Sequence, residues 1–311
     1  NPDALKAIEA ELLATTATLP PSILQGGLEP RHTTDPTTAK TCHELFDEQA
    51  RRTPSAMAIV DVHRQLTYEQ LSVEAELLAR KIQQLGGGKG SVIGSYMPHQ
   101  AEYIIANLAT LKAGGAIFPL ETNYPPELLA ELSEMAGINI VLTVESMLDM
   151  LPLELRTAEH SVCLDGDWYD ALQKEGLPEL QDPGVSLADP AYITMTSGST
   201  GRPKGVVNAH IGATCNFLAR FDLMPYQEGE REALNVFFVW ECLRPLLRGA
   251  TAYIIPDSVI FDPKQLVNFI HEHRITRLMT TTQLVEAILE HPSLNLATKL
   301  DSIRCWLLEG E

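Results

Sequence analysis

The chain has 311 residues, 45% of them hydrophobic and 21% charged, and its 23 Lys and Arg stand against 41 Asp and Glu for a formal net charge of −18. That length and balance allow a sizeable buried core and exclude a disordered or collagen-like chain. The charge excludes a general nucleic-acid binder, whose field must attract phosphate backbones. The acidity is uneven: positions 121–189 hold fifteen acids against Arg156 and Lys174, which reads as a solvated face, with a docking surface for a basic partner as the minor alternative.

Cys42, Cys163, Cys215, Cys242 and Cys305 are odd in number and widely spaced. They form no C-x-x-C or Cys/His pair, so neither a disulfide framework nor a metal site is indicated, and a reducing, cytoplasmic setting is expected. No membrane span is expected, because nowhere do about 18 apolar residues run uninterrupted. The N-terminal stretch has acids where a signal peptide would carry Lys or Arg. With no initiator Met and a stop at Glu311, inside a strand and turn, the sequence reads as an excerpt.

In chain order, residues 4–14 form an amphipathic helix candidate. A Pro, Thr and Gly-rich stretch to about residue 40 then reads as a linker or upstream-module tail. From residue 41 to 311, strand-length apolar runs alternate with helical periods. A helix over 41–52 starts at Thr41 with Glu44 three residues on, and is followed by a strand over 58–62, a helix over 68–85 and a strand over 92–97. Next come a helix over 100–113, a strand over 116–120, a helix over 126–135, and strands over 138–144 and 162–165. After a connection at 175–190, a candidate divide between two α/β halves, the pattern resumes with a strand over 192–196 and helices over 209–221 and 240–247. The remaining candidates are a strand over 251–256, a helix over 263–273 opened by Pro263 after Asp262, a strand over 278–281, a helix over 284–290 and a strand over 303–308. Strands separated by helical segments imply βαβ crossovers and largely parallel sheets, so the class is α/β.

One segment carries the chemistry. The strand ending at Thr196 leads into Ser197, Gly198, Ser199, Thr200 and Gly201, then Arg202, Pro203, Lys204 and Gly205. Glycines let backbone N–H groups approach an anion, hydroxyls add donors, and Lys204 adds a compact charge. There is no acid from 192 to 210, so an anionic ligand follows. The run is not a Walker loop, since Lys204 is followed by Gly205 rather than Ser or Thr.

These residues resemble the nucleotide-binding signature of the adenylate-forming enzymes, in particular the adenylation domains of nonribosomal peptide synthetases and related amino-acid reductases. Residues 66–71 (LTYEQL) resemble the family's first core motif, and residues 111–120 (LKAGGAIFPL) with Tyr124 and Pro125 its second. The resemblance implies two packed αβ-layered subdomains with largely parallel sheets, the C-terminal lid and its lysine lying beyond residue 311, so that this stretch alone is expected to be inactive. It implies that ATP, with Mg²⁺, activates a small carboxylic or amino acid as an acyl-adenylate, for transfer to phosphopantetheine on a carrier-protein domain beside neighbouring synthetase modules. Thr196, Ser197, Gly198, Ser199, Thr200, Gly201 and Lys204 would hold the ATP phosphates.

In amino-acid-activating members an Asp pairs with the substrate's α-ammonium, and Val236 stands nearest that position. A buried ammonium without a partner is costly, so either the substrate lacks an α-amino group or another acid serves. Glu309 is such a candidate, though an exposed acid is its plainer reading. Trp240 is a pocket wall or a core aromatic, and His210 faces the phosphates or lies on a helix surface. Two alternatives remain: a stand-alone acyl- or aryl-CoA ligase, and a degenerate adenylation fold kept for interactions, to which Glu121, where Asp is common, lends support.

Overall fold

The structure is a computed structural model that describes residues 40–196, 204–235, 239–291 and 294–309. The helix expected over 4–14 lies outside them.

Helix α1 (Cys42–Arg52) begins where its capping signal stands: the Thr41 backbone N–H donates to the Glu44 carboxylate at 2.7 Å. Strands β1 (Met57–Val60) and β2 (Gln65–Thr67) pair antiparallel, and Thr67 caps helix α2 (Tyr68–Gln84) reciprocally with Gln70. There follow β3 (Val92–Tyr96), α3 (Ala101–Ala113), β4 (Ala116–Pro119), α4 (Pro126–Ala136), β5 (Ile140–Thr143), β6 (Ser161–Cys163) and α5 (Trp168–Lys174). The chain continues with β7 (Pro190–Thr196), β8 (Lys204–Ala209), α6 (His210–Leu223), β9 (Arg231–Leu234), β10 (Thr251–Ile254), α7 (Asp257–Ile260) and α8 (Pro263–Glu272). It ends on β11 (Arg277–Thr281), α9 (Thr282–Leu289), α10 (Leu296–Lys299) and β12 (Cys305–Glu309).

The strands form two sheets, ordered β12-β11-β9-β10-β1-β2 and β6-β5-β3-β4-β7-β8. Each is parallel except at one edge, where β2 and β8 turn back antiparallel. This is the expected α/β class with two mostly parallel sheets. Sheet membership does not follow the 175–190 connection, however: β1 and β2 cross to the sheet built from the last third of the chain, and β7 and β8 close the first sheet.

Helices α2 and α3 pack along each other between the sheets, α2 against β1 and β2, α3 against β3 and β4. Every residue of α3 except Glu102 is buried, because a helix apolar all round must be covered all round. One core cluster therefore contains Ile59 of β1 and Ile117 of β4 together with Leu71, Leu78, Ile104 and Leu108. A smaller cluster, Ala233, Ile270, Ile275 and Leu278 among its members, lies beneath α8. All five cysteines are free thiols. No described helix is long and apolar enough to cross a membrane.

One local expectation changes, and two strands are added. Residues 240–247 are turns leading to a 3₁₀ turn at Pro245–Arg248 rather than an α-helix, because Pro245 has no N–H to continue the ladder. The polar-looking stretches 204–209 and 231–234 are strands: β8 is an exposed edge without clean alternation, and β9 hides its Glu232 in ion pairs.

The Gly114-Gly115 pair of the second motif has a local cause. Gly114 ends α3 at φ +95°, and a Cβ there would lie 2.4 Å from Pro183 Cβ. Gly114→Ala should therefore destabilise by about 2–4 kcal/mol. Gly137→Ala, which ends α4 at φ +65° into open space, should cost only about 1 kcal/mol. Urea unfolding of both variants checks this, and equal losses would refute the steric account.

Candidate nucleotide and acyl site

Strand β7 runs parallel to β4, so its end stands at the carboxy edge of its sheet, where open α/β sheets bind their ligands. The antiparallel register of β7 with β8 closes on the pair Thr196 and Lys204. Residues 197–203 join the two strands, so Ser197, Gly198, Ser199, Thr200 and Gly201 lie outside the described residues, as does the side chain of Thr196. Lys204 is exposed at the first position of β8. The glycine and hydroxyl run is thus held at both ends by backbone pairing.

β8 passes directly into α6, whose first residue is His210. Of the two positions expected for this histidine, the helix surface is not the one found: it is fully buried, edge-on to His43 of α1 with ring centroids 5.8 Å apart. Among the described residues, neither ring nitrogen of His210 has a hydrogen-bond partner, and the Thr214 hydroxyl one turn on has none either. Burial, then the neighbouring His43, pushes the His210 pKa down to about 4 against the opposing pull of Asp189 and Glu44. Burial likewise takes His43 down to about 4. Both imidazoles are neutral at pH 7. They lie where Pro190 pairs with Ala209 and His210 N–H donates to the Asp189 carbonyl at 3.0 Å, at the end of the β7–β8 pair opposite Thr196 and Lys204.

On the other sheet, β9 ends at Leu234 and Val236 lies outside the described residues. The chain resumes at Val239, and Trp240 is 3% exposed. Its indole is stacked on Phe217 of α6 at 4.4 Å and on Tyr192 of β7 at 4.9 Å. With both faces covered by rings, Trp240 can offer a ligand only an edge, and its Nε1–H has no partner among the described residues. The stack continues from Phe217 to Phe221, and Tyr226 meets Phe221 edge-on. It ties the segment after residue 236 to the strand that precedes the phosphate run.

The same segment is held by buried charge that sequence reading missed. Arg244, the largest fully buried side chain among the described residues, pairs with Glu232 of β9, and its Nε lies 3.1 Å from Glu241. Glu241 also pairs with Arg220 of α6, and Glu232 accepts the Tyr226 hydroxyl. Arg277 lies 3.1 Å from Glu230 and stacks over Tyr226 at 4.1 Å. Burial raises the Glu232 pKa while Arg244, Tyr226 and Arg277 lower it. Such a set is costly to break because each survivor would be a buried, unpaired charge. The visible signal was the odd density of Arg and Glu in an apolar stretch.

Glu309 is the last described residue of β12, opposite Thr281 in register, and its side chain lies outside the described residues. The structure thus brings Trp240 to β7 and α6, and His210 to α1. Among the described residues no three His, Cys, Asp or Glu side chains converge to hold a metal ion.

The family of AMP-binding enzymes matches residues 46–311. The chain belongs to that family. It is 36% identical to the glycine betaine reductase ATRR of Emericella nidulans over 88% of this chain and 21% of that protein. Tyrocidine synthase 1 of Brevibacillus parabrevis is 33% identical over 76% of this chain and 22% of its own length. The chain therefore spans about a fifth of the length of these relatives. Among solved structures, the nonribosomal peptide synthetase FmoA3 in its α-methyl-L-serine-AMP bound form superimposes with a TM-score of 0.78 at 28% identity, over 90% of this chain and 31% of that one.

The histidine pair gives a pH dependence. A histidine whose folded pKa lies near 4, below the ordinary 6.5, stabilises the fold fully above pH 6.5, and that contribution is lost as pH falls toward 4. Each should cost about 1–2 kcal/mol at pH 5 relative to pH 7.5. Thermal melting of the protein and of His210→Gln across this window checks it: the variant should show the shallower decline. Parallel slopes would show that His210 is not held neutral.

Proposed function

We propose that this chain binds the nucleotide and the acid in an enzyme that joins a carboxylic acid to AMP, releasing pyrophosphate. The carboxylate attacks the α-phosphate of ATP, so charge grows on the phosphates during the step, and donors fixed beforehand favour the transition state over the ground state. The observation that carries this reading is the strand register that closes on Thr196 and Lys204, with the intervening glycine and hydroxyl run held at the carboxy edge of a parallel sheet. Thr196, Ser197, Gly198, Ser199, Thr200 and Gly201 would cradle the phosphates, and Lys204 would supply a point charge. Mg²⁺ would accompany the phosphates, for which the hydroxyl oxygens of this run are hard donors of a suitable kind. Residues 41–311 form the enzyme's N-terminal core in this reading. Residues 1–40 lead in from another module, and a carrier protein's phosphopantetheine thiol accepts the acyl group.

The substrate is proposed to be a small acid bearing a quaternary ammonium, of the betaine kind. Val236, in place of a carboxylate, cannot accept an N–H bond, and a quaternary nitrogen has none to donate. Aromatic side chains are the ordinary hosts for such cations, and Phe237 and Phe238 follow Val236 directly. A relative named as a glycine betaine reductase supports the same class. Glu309 supplies no ammonium partner in this reading.

Two measurements test these statements separately. ATP titrated into the chain should bind, with roughly tenfold weaker affinity in Lys204→Ala. ATP-pyrophosphate exchange, run on the protein in its natural length, should be supported by glycine betaine at least roughly a hundredfold better than by glycine. Exchange with α-amino acids alone would overturn the substrate class. Absence of ATP binding would overturn the enzymatic reading itself.

A further inference from the structure

At the opposite edge of the second sheet, away from residue 236, three arginines converge around a cavity of about 290 Å³ lined by Arg231, Arg274, Thr276, Asp301, Ser302 and Arg304. We infer that this cavity is a binding site for a phosphate group, separate from the nucleotide loop and independent of it.

Strand register builds it. Thr276 N–H donates to the Arg231 carbonyl at 2.9 Å and Arg304 N–H to the Thr276 carbonyl at 2.8 Å, so Arg231, Thr276 and Arg304 are side-by-side neighbours where β9, β11 and β12 begin. Neighbours in register on a sheet share a face, which sets two guanidinium groups on either side of one threonine. The Thr276 hydroxyl is spent locally, accepting from Arg231 N–H at 3.0 Å. Arg274 joins from the loop before β11, and Asp301 and Ser302 from the loop before β12.

The charges do not balance. Arg274 Nη1 donates at 2.7 Å to Asp301, the one carboxylate among the described residues that line the cavity. Arg231 Nη1 donates to the His273 carbonyl at 2.9 Å and Arg304 Nη1 to the Gln227 amide oxygen at 3.0 Å, both neutral acceptors. Two positive charges are left over, in a chain whose net charge is −18. Like charges brought together repel unless a counter-ion shares the space, and most of each guanidinium fork remains available to one. A second observation is independent of charge: Ser302 is 8% exposed, lines the cavity, and its hydroxyl has no hydrogen-bond partner among the described residues. A buried hydroxyl without a partner is the exception in folded proteins, and an oxyanion would be its acceptor.

A phosphate group fits this set best. Guanidinium forks match its paired oxygens, and a dianion answers a surplus of two. The volume admits a phosphomonoester or a diphosphate as readily as the inorganic ion.

Thermal melting with inorganic phosphate against chloride at matched ionic strength tests the site. The intact chain should gain about 3 °C when phosphate is tenfold above its dissociation constant, saturably. Lys204→Ala should keep that gain, since the nucleotide loop is not involved. Arg231→Gln combined with Arg304→Gln, both exposed side chains, should lose it, Arg304→Lys should keep part, and Ser302→Ala should weaken half-saturation about threefold. Pyrophosphate and glycerol phosphate run in parallel identify the bearer of the group as the one that saturates at the lowest concentration. No gain over chloride, or a gain lost in Lys204→Ala and kept in the double arginine variant, would overturn the inference. Because Lys204→Ala and the arginine variants report on different edges, failure here leaves the nucleotide reading untouched, and the reverse also holds.

Discussion

The pairing of β8 back onto β7 is the constraint on which the rest of the site depends. In a sheet whose other strands run parallel, this one antiparallel edge returns the chain next to the strand it has just left, so the residues between them are pinned at both ends. A glycine-rich run has high conformational entropy, and a cradle for phosphates is useful only if that entropy is spent before the ligand arrives. Backbone pairing through Thr196 and Lys204 does part of this without using any side chain of the run. The same return launches α6 from Ala209, and α6 then supplies Phe217 and Arg220 to the neighbouring segment.

That segment shows how a mostly apolar interior keeps a site rigid. Trp240 is sandwiched by rings from β7 and α6, and Arg244 and Glu241 reach back to β9 and across to α6. Stacking alone is tolerant of sliding, whereas paired charges in a low-dielectric interior accept few geometries. The aromatic stack therefore brings the two sheets together, and the ion pairs fix how the chain leaves β9 toward residue 236. Burial of His210 and His43 follows from the same economy of space: imidazoles at the starts of α6 and α1 face each other rather than water, and both are driven neutral.

Parts of this were legible in the sequence and parts were not. Helix starts were, because capping is local chemistry: Thr41 with Glu44, and Asp262 before Pro263, appear in the structure as written. The Gly114-Gly115 pair was legible as a motif, but its reason was not, since Pro183 lies 69 residues further on. The strand β8 was missed and the turns after Trp240 were misjudged because each depends on contacts that residue type alone does not reveal. An exposed edge strand shows little alternation when its register is set by β7, and an apolar run with a proline reads as helix until its neighbours are known.

The sequence by itself determined the alternation of strands and helices, the acidic balance, the anion-binding composition of residues 196–204 and the valine at position 236. These are properties of residue type and short-range order, which the chain carries before it folds. Only the tertiary structure decided that β1 and β2 join the sheet of the last third, that His210 is buried against His43, that Trp240 has no free face, and that Arg231, Arg274 and Arg304 meet. Each of those depends on which distant residues lie opposite, and that is settled by packing and parallel register over long separations rather than by any local preference.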